Sequence, residues 1–265
     1  MRVLTLNVNG LRAAARHGFF DWLPEQRADV VCLQEIRAQE AQLSEDVFRP
    51  RGLHCSYLYA DRGGYSGVAV LSRKRPDAVI RGLARSAGNA RAWREFDAEA
   101  RYLELRFGAL SVVSVYLPSG SSGEARQQAK FRFLDLFMPY LVRLRKRGRS
   151  YVLCGDWNIA HKQIDIENWR SNQKHSGFLP EERAWMDDLL GSVGYVDAFR
   201  AVDPRPRQYT WWSNRGRAWE KNVGWRIDYQ IVTPDLARAV KSASIYKDQR
   251  FSDHAPLLID YALPR

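Results

Sequence analysis

The feature that most limits how this chain can fold is a repeated event: a short apolar, β-prone run that stops abruptly at an acid or an amide. Val3–Leu6 ends in Asn7-Val8-Asn9-Gly10, Val30–Leu33 in Gln34-Glu35, and Tyr151–Cys154 in Gly155-Asp156-Trp157-Asn158. Asp228 stands in the run Arg226–Val232, and Asp253-His254 precedes the closing run Ala255–Tyr261. Runs of this length bounded by turn residues read as strands. Further strands are expected at His54–Tyr59, Val68–Ser72 and Ser242–Ile245, with a hairpin of Tyr102–Phe107 and Ala109–Tyr116 turning at Gly108.

Helical periodicity is clearest over Glu124–Arg147, where Phe131, Leu134, Phe137, Met138 and Leu141 recur near the 3.6-residue period. Pro180–Leu190 reads as a second helix, with Glu181 and Glu182 in the first turn, where the helix dipole favours them. A helix through Phe20 and Leu23 stopping near Pro24, and a helical stretch at Gln39–Val47, complete the set. Residues 76–100 carry little periodic signal and read as a surface excursion. Short strands with so few long helices do not make a regular βα repeat. The expected fold is α/β, two packed sheets with helices over their outer faces, in one domain spanning 1–265 with no linker-like break.

Hydrophobic residues at 45% and charged residues at 27% place the chain among folded, water-soluble proteins and exclude a disordered one. Lys and Arg number 41 against 30 Asp and Glu, a formal charge of +11. That excess concentrates polyanions and makes their binding salt-sensitive, although it also serves simple solubility. No polybasic block sits beside a strongly apolar helical face, which disfavours a membrane partner. No apolar run is long enough to span a bilayer, and Asn7 and Asn9 come too soon for a signal-peptide core. Cys32, Cys55 and Cys154 show no CxxC or zinc-knuckle spacing, and their odd count argues against a disulfide framework. A reducing cytoplasm is the expected location.

Strand ends hold polar side chains rigidly while leaving them open to a ligand. One such residue is usually a turn residue; five in one chain favour a shared rim. Glu35 and Asp253, with Asn7 as a neutral oxygen or an orienting amide, suit Mg²⁺, which takes oxygen ligands and keeps some of its water. No His and Cys cluster favours zinc. Asp228 lies among apolar residues and needs a partner; His254 is the candidate, as an acid–base pair. Asp156 is placed to orient or deprotonate a water or to serve a leaving oxygen. Asn158, being uncharged, suits a phosphoryl oxygen, and the two share a side if the strand persists. Tyr116 offers a phenol where a strand stops, or is a satisfied sheet edge. Trp211, Trp212 and Trp225 lie near Arg and Lys, where rings can stack on a base or sugar. One of Trp211 and Trp212 is expected in the core, since neighbours on a strand face opposite ways.

The strings LNVNGLRAA, VVCLQE, GYSGVAVLS, VYLPSG, CGDWNIAH, NVGWRIDYQ and FSDHAPL run in this order from residue 6 to residue 257. Together they resemble the exonuclease III/AP-endonuclease branch of the endonuclease–exonuclease–phosphatase superfamily. The resemblance implies a four-layer α/β sandwich of two mixed β-sheets flanked by helices. It also implies hydrolysis of DNA phosphodiesters at abasic sites or 3′ ends with Mg²⁺ or Mn²⁺. By the same likeness Glu35 is the chief metal ligand, with Asn7 and Asp253 beside it. Asp228 and His254 are the family's Asp–His pair, whose imidazole either abstracts a proton or binds phosphate. Asp156 is the acid near the nucleophile or leaving group, Asn158 the phosphate-side amide and Tyr116 the active-site phenol. Asn172 is a substrate-side amide, and Trp211, Trp225 and Ile227 match the apolar wall that accepts a flipped abasic sugar.

Three departures stand out. Asn9 replaces an Asp of the human-type enzymes, Ser122 replaces an Arg that inserts into duplex DNA, and His175 replaces an Asn. If the imidazole crowds the sugar pocket, internal abasic cleavage falls while processing of 3′ ends survives. The expected function is a DNA-repair hydrolase with 3′→5′ exonuclease and 3′-phosphatase or phosphodiesterase capacity, acting on double-stranded DNA with nicks or 3′ ends. It is expected to act as a monomer without an obligate protein partner. A predominantly abasic-site endonuclease is the close alternative; a superfamily relative acting on phosphoinositides, sphingomyelin or RNA tails, and a non-catalytic DNA-binding module, are the others.

Overall fold

The apolar runs pair into two six-stranded sheets in a computed structural model that describes residues 1–263. The last two residues of the expected domain, 264 and 265, lie outside it. The first sheet runs Val240–Ile245, Leu257–Tyr261, Arg2–Asn7, Val30–Gln34, Val68–Ser72, His54–Leu58. The second runs Ala78–Arg81, Tyr102–Phe107, Leu110–Tyr116, Ser150–Asp156, Asp228–Val232, Val196–Asp197. Both are mixed: Arg2–Asn7 is parallel to Val30–Gln34, and Leu110–Tyr116 is parallel to Ser150–Asp156, while the remaining pairs are antiparallel.

Side-chain alternation along the central strands builds three apolar layers. Val3, Val30, Cys32 and Val70 of the first sheet meet Leu105, Val112 and Val152 of the second between the sheets. Leu4, Leu6 and Leu33 turn outward onto Phe19, Phe20 and Trp22. Val113, Val115 and Leu153 turn outward onto Phe133, Phe137 and Leu141 of the helix Glu124–Arg145. Each fully buried side chain of this size contributes about 1.5–3 kcal/mol. The result is the expected four-layer sandwich.

Residues 76–100 are not a surface excursion. They form the strand Ala78–Arg81 and the helices Ala84–Ala87 and Ala90–Ala98. Trp93 and Phe96 are buried edge-on against Phe133, and Asp97 accepts hydrogen bonds from the Leu83 and Ala84 N–H groups. Two apolar positions in a nine-residue helix are too few to show a period, yet they anchor it. Gln39–Val47 holds no α-helix but two 3₁₀ turns, Glu40–Leu43 and Asp46–Phe48, since only Leu43 and Phe48 find the core. The helix expected through Phe20 breaks at Gly18, whose φ of 85° is left-handed, into Leu11–Arg16 and Phe19–Trp22.

Beneath one end of the sandwich lies a buried ionic cluster. Arg226 Nε donates to Asp165 Oδ1 at 2.8 Å, and Arg200 Nη2 to the same oxygen at 2.7 Å. Arg226 Nη2 also lies 2.7 Å from Asp197 Oδ2, as an ion pair rather than an aligned hydrogen bond. Burial pushes the Asp165 carboxyl up, but Arg226 and Arg200 outweigh it and hold it down at about 2. Because the folded value lies below the unfolded one, the stabilisation is complete above the ordinary carboxylate range and is lost as pH falls through about 2. Asp165→Asn is expected to cost about 3 kcal/mol near neutral pH, the scale of a broken buried pair. Denaturant melts of native protein and variant should converge between pH 5 and pH 2; a gap that ignores pH contradicts this assignment.

Candidate active site

The strand ends converge where the two sheets meet. Asn7 Nδ2 donates to Glu35 Oε1 at 2.8 Å and to Asp156 Oδ2 at 2.9 Å, so one amide ties the first sheet to the second. Its Oδ1 accepts from the Asn9 N–H at 3.0 Å, and Asn9 Nδ2 donates to Asp253 Oδ1 at 2.8 Å. Trp211 Nε1 donates to the other Asp253 oxygen at 3.1 Å. Glu35, Asp253, Asp156 and His254 line a single cavity of about 1140 Å³, on whose lip the exposed Ser122 sits. The Asn7 Nδ2 thus acts as an orienting amide between two carboxylates, while its Oδ1, bonded once, keeps a second lone pair.

Asp228 and Asp156 are direct partners on neighbouring antiparallel strands. Asp228 Oδ2 meets His254 Nδ1 at 2.8 Å, and His254 Nε2 lies 3.9 Å from Asp156 Oδ2. Burial alone would lower the imidazole, but Asp228, then Asp156 and Asp253, raise it to about 10, so both ring nitrogens carry protons near neutrality. Asp156 is pushed up to about 7 by burial; Asp228 and Glu35 add to this, while His254 and Asn7 oppose it.

The strand does not persist to Asn158. It ends at Asp156, and Asn158 comes back to the same side through a left-handed backbone, φ 52°. Its backbone N–H reaches Asp156 Oδ1 at 2.8 Å, and its Nδ2 is shared between Leu117 O at 3.0 Å and Asp156 Oδ2 at 3.2 Å. Asn158 therefore supports Asp156 before it can meet a phosphate. Glu35 is turned into the cavity in the same way, at φ 52°.

Tyr116 is buried, with the Arg101 guanidinium 4.5 Å from its ring centroid. Burial first, then the neighbouring Glu35, hold its phenol well above the usual range, so it stays a proton donor. Trp211 and Trp225 face each other across a two-residue strand pair, ring centroids 6.0 Å apart, and pack with Ile227 and Phe178 as an apolar wall. Trp212 is the buried one of its pair, packed on Trp219. Asn172 and the exposed His175 lie on the cavity's edge, with the His175 N–H bonded to Asn172 O at 2.9 Å.

Among the described residues, the group of three possible metal ligands that packs within 4.8 Å is Asp156, Asp228 and His254. In that group His254 Nδ1 is already bonded to Asp228, and Asp156 accepts from Asn7 and Asn158. A hard divalent cation takes carboxylate oxygens; those of Glu35 and Asp253 also face the cavity, where they accept from Asn7, Arg37, Asn9 and Trp211. The carboxylates of Asp156 and Asp228 both lie against His254, and Asp228 Oδ1 is buried without a hydrogen-bond partner.

Reasoning from sequence did not find the opposite wall. Arg37 binds Glu35 Oε2 through Nε at 2.8 Å, from a left-handed position two residues on. Arg101, 1% exposed, donates to Glu99, to Tyr116 O and to the Tyr65 hydroxyl, which Arg126 also reaches. Only the cavity reveals this group, because its members come from four separate segments.

A mixed two-sheet sandwich with an Asp–His pair and an acid cluster at one end fits a phosphoester hydrolase. Residues 4–254 match the model of the Endonuclease/Exonuclease/phosphatase family, and the chain belongs to that family. It is 37% identical over 259 residues to an exodeoxyribonuclease of Bacillus subtilis, covering 97% of this chain and 98% of the relative. It is 31% identical over 274 residues to exodeoxyribonuclease III of Haemophilus influenzae, covering 98% and 100%. A solved 3′-5′ exonuclease from Neisseria meningitidis superimposes with a TM-score of 0.87 at 26% identity, covering 99% of this chain and 100% of that one. An AP endonuclease from Archaeoglobus fulgidus superimposes at 0.86 with 27% identity and the same coverage. Within the family, the protein is an exonuclease III-like DNA-repair nuclease. Such enzymes depend on a divalent metal. No helix among the described residues is long and apolar enough to cross a membrane.

Proposed function

We propose that this protein trims 3′ ends of double-stranded DNA, as a 3′→5′ exonuclease and 3′-phosphatase or phosphodiesterase, with Mg²⁺ or Mn²⁺ held by Glu35 and Asp253. It does so as a monomeric, single catalytic domain, and its three free cysteines suit a reducing cytoplasm. The observation that carries this reading is the Asn7 amide, which ties Glu35 to Asp156 and so joins a cation-binding edge to a candidate base in one space.

Asp156, oriented by Asn7 and Asn158, aligns water and takes its proton. His254, fixed by Asp228, donates Nε2–H to a phosphoryl oxygen, and the neutral Tyr116 phenol donates to another. Asn172 holds the remaining edge of the phosphate, while the Asn158 amide stays on Leu117 O and Asp156 and keeps that carboxylate in place. A bound divalent cation neutralises the phosphate and stabilises charge that develops on its oxygens. Trp211, Trp225 and Ile227 receive the terminal sugar. The charge of +11 draws in duplex DNA through its backbone, without sequence readout. Support comes from the neighbour described as a 3′ phosphatase from Neisseria bound to a product DNA hairpin, with a TM-score of 0.86 at 25% identity.

Abasic-site cleavage is the second reading, favoured by the same apolar wall and by the Archaeoglobus AP endonuclease. The two separate on three substrates: a recessed 3′ end, a 3′-phosphate nick and an internal abasic analogue. Native protein is expected to prefer the first two. His175→Asn is expected to raise internal cleavage about tenfold, the scale of one relieved steric contact, and to leave end processing within about twofold. Unchanged ratios remove His175 as the selector, and a native preference for the internal site makes the second reading the main one.

A further inference from the structure

Lys130 and Glu182 are each completely buried, and no step above uses them. A buried pair of opposite charges is rarely an inexpensive way to stabilise a fold, since desolvation offsets most of the attraction. What this pair touches is more informative than the pair itself. Lys130 Nζ, from the helix Glu124–Arg145, donates to Glu182 Oε1 at 2.5 Å and to Asn158 O at 2.7 Å. Glu182 Oε2, from the helix Pro180–Leu190, accepts from the Gly177 N–H at 2.6 Å and the Leu179 N–H at 3.1 Å. Gln127 Nε2 donates to Glu182 Oε1 at 3.1 Å, and a side chain at Gly120 would strike Gln127 and Ser176.

Two segments that line the cavity thus meet at one ion pair, the turn holding Asn158 and the loop 172–179 with Asn172 and His175. Gln127 brings in the loop after Tyr116, whose Gly120 packs against it. Asn158, at φ 52°, holds a left-handed backbone that is uncommon for a residue with a side chain and benefits from outside support. The Ala160 N–H bonds to Gly177 O at 2.7 Å, which joins the first two segments again.

We propose that Lys130 and Glu182 are positioning residues, a buried ionic clamp that sets Asn158, and through it Asp156, against the loop that receives the 3′ end. This rests on the hydrolytic reading above. Displacing a support by about 1 Å costs on the order of 100-fold in rate. A role in folding alone would lower stability without changing turnover well below the melting temperature.

The test uses native protein, Glu182→Gln, Lys130→Met, Lys130→Arg and Glu35→Gln on a 3′-phosphate nick, 15 °C or more below each melting point. Glu182→Gln and Lys130→Met are expected to lose about 30- to 100-fold in kcat with KM within about threefold. Mn²⁺ affinity, read by titration calorimetry, is expected to stay native in both. Lys130→Arg keeps the charge but adds bulk in a fully buried site, and is expected to recover at least part of the kcat lost in Lys130→Met. The clamp is overturned if either neutral variant, folded, turns over at the native rate, if kcat and Mn²⁺ affinity fall together, or if Lys130→Arg is as slow as Lys130→Met. If one neutral variant does not fold, the other decides. Glu35→Gln separates the two levels: native turnover there removes the hydrolytic reading itself, whereas its collapse beside a native Glu182→Gln removes only the clamp.

Discussion

Asp156→Asn is expected to lower kcat on a 3′-phosphate nick by about 10³-fold, in the range lost with a general base, with little change in KM. The carboxylate receives the Asn7 amide on one oxygen and the Asn158 N–H on the other, which fixes its plane. Asparagine keeps that volume but presents an NH₂ where one acceptor stood, and it takes no proton from water. Stability should hold or rise, because a carboxylate whose burial pushes it up to about 7 is already disfavoured as an anion. Glu35 and Asp253 are untouched, so Mn²⁺ should bind as in native protein. Single-turnover hydrolysis, a thermal melt and a Mn²⁺ titration on the same variant decide the matter. A loss of rate that tracks a loss of Mn²⁺ would move Asp156 from proton transfer to cation binding.

Asp228→Asn is the second large effect, from a residue that is 0% exposed and lies behind the ring it holds. Its contact with His254 Nδ1 at 2.8 Å fixes the ring and stabilises its charge. An amide in its place offers either a carbonyl or a clashing N–H to Nδ1, and it removes the principal charge that sustains the imidazolium. A fall of about 10²–10⁴-fold in kcat is expected, the scale seen when a catalytic histidine loses its carboxylate. KM should rise as well, since the cationic ring holds phosphate before reaction as well as during it. A variant that keeps kcat and changes only stability would show that the pair is structural.

The strand ends were legible because each pairs a short apolar run with an abrupt acid or amide, and such runs bury whole in a double sheet. Asp228 was legible for a related reason: a carboxylate among Ile227, Tyr229 and Ile231 demands a partner. Less of the site was legible where backbone shape decides. The alternation rule carries Asn158 to the cavity only if the strand continues; it arrives by a left-handed turn instead, and spends its amide on Asp156. Arg226, flanked by two cavity residues, points the other way into the Asp165 cluster, as neighbours on an extended chain must. Trp93 and Phe96 left no periodic trace in a nine-residue helix. The wall of Tyr65, Glu99, Arg101 and Arg126 depends on loops meeting in space, which no local pattern records.

Crystals of the protein equilibrated with Mn²⁺ offer the most direct measurement, because anomalous scattering locates the ion without reference to turnover. The account predicts a peak held by carboxylate oxygens of Glu35 and Asp253, absent in Glu35→Gln, whose hydrolysis of the 3′-phosphate nick falls with it. A peak seated on Asp156, Asp228 and His254 instead, or a Glu35→Gln protein that still turns over at the native rate, would contradict it.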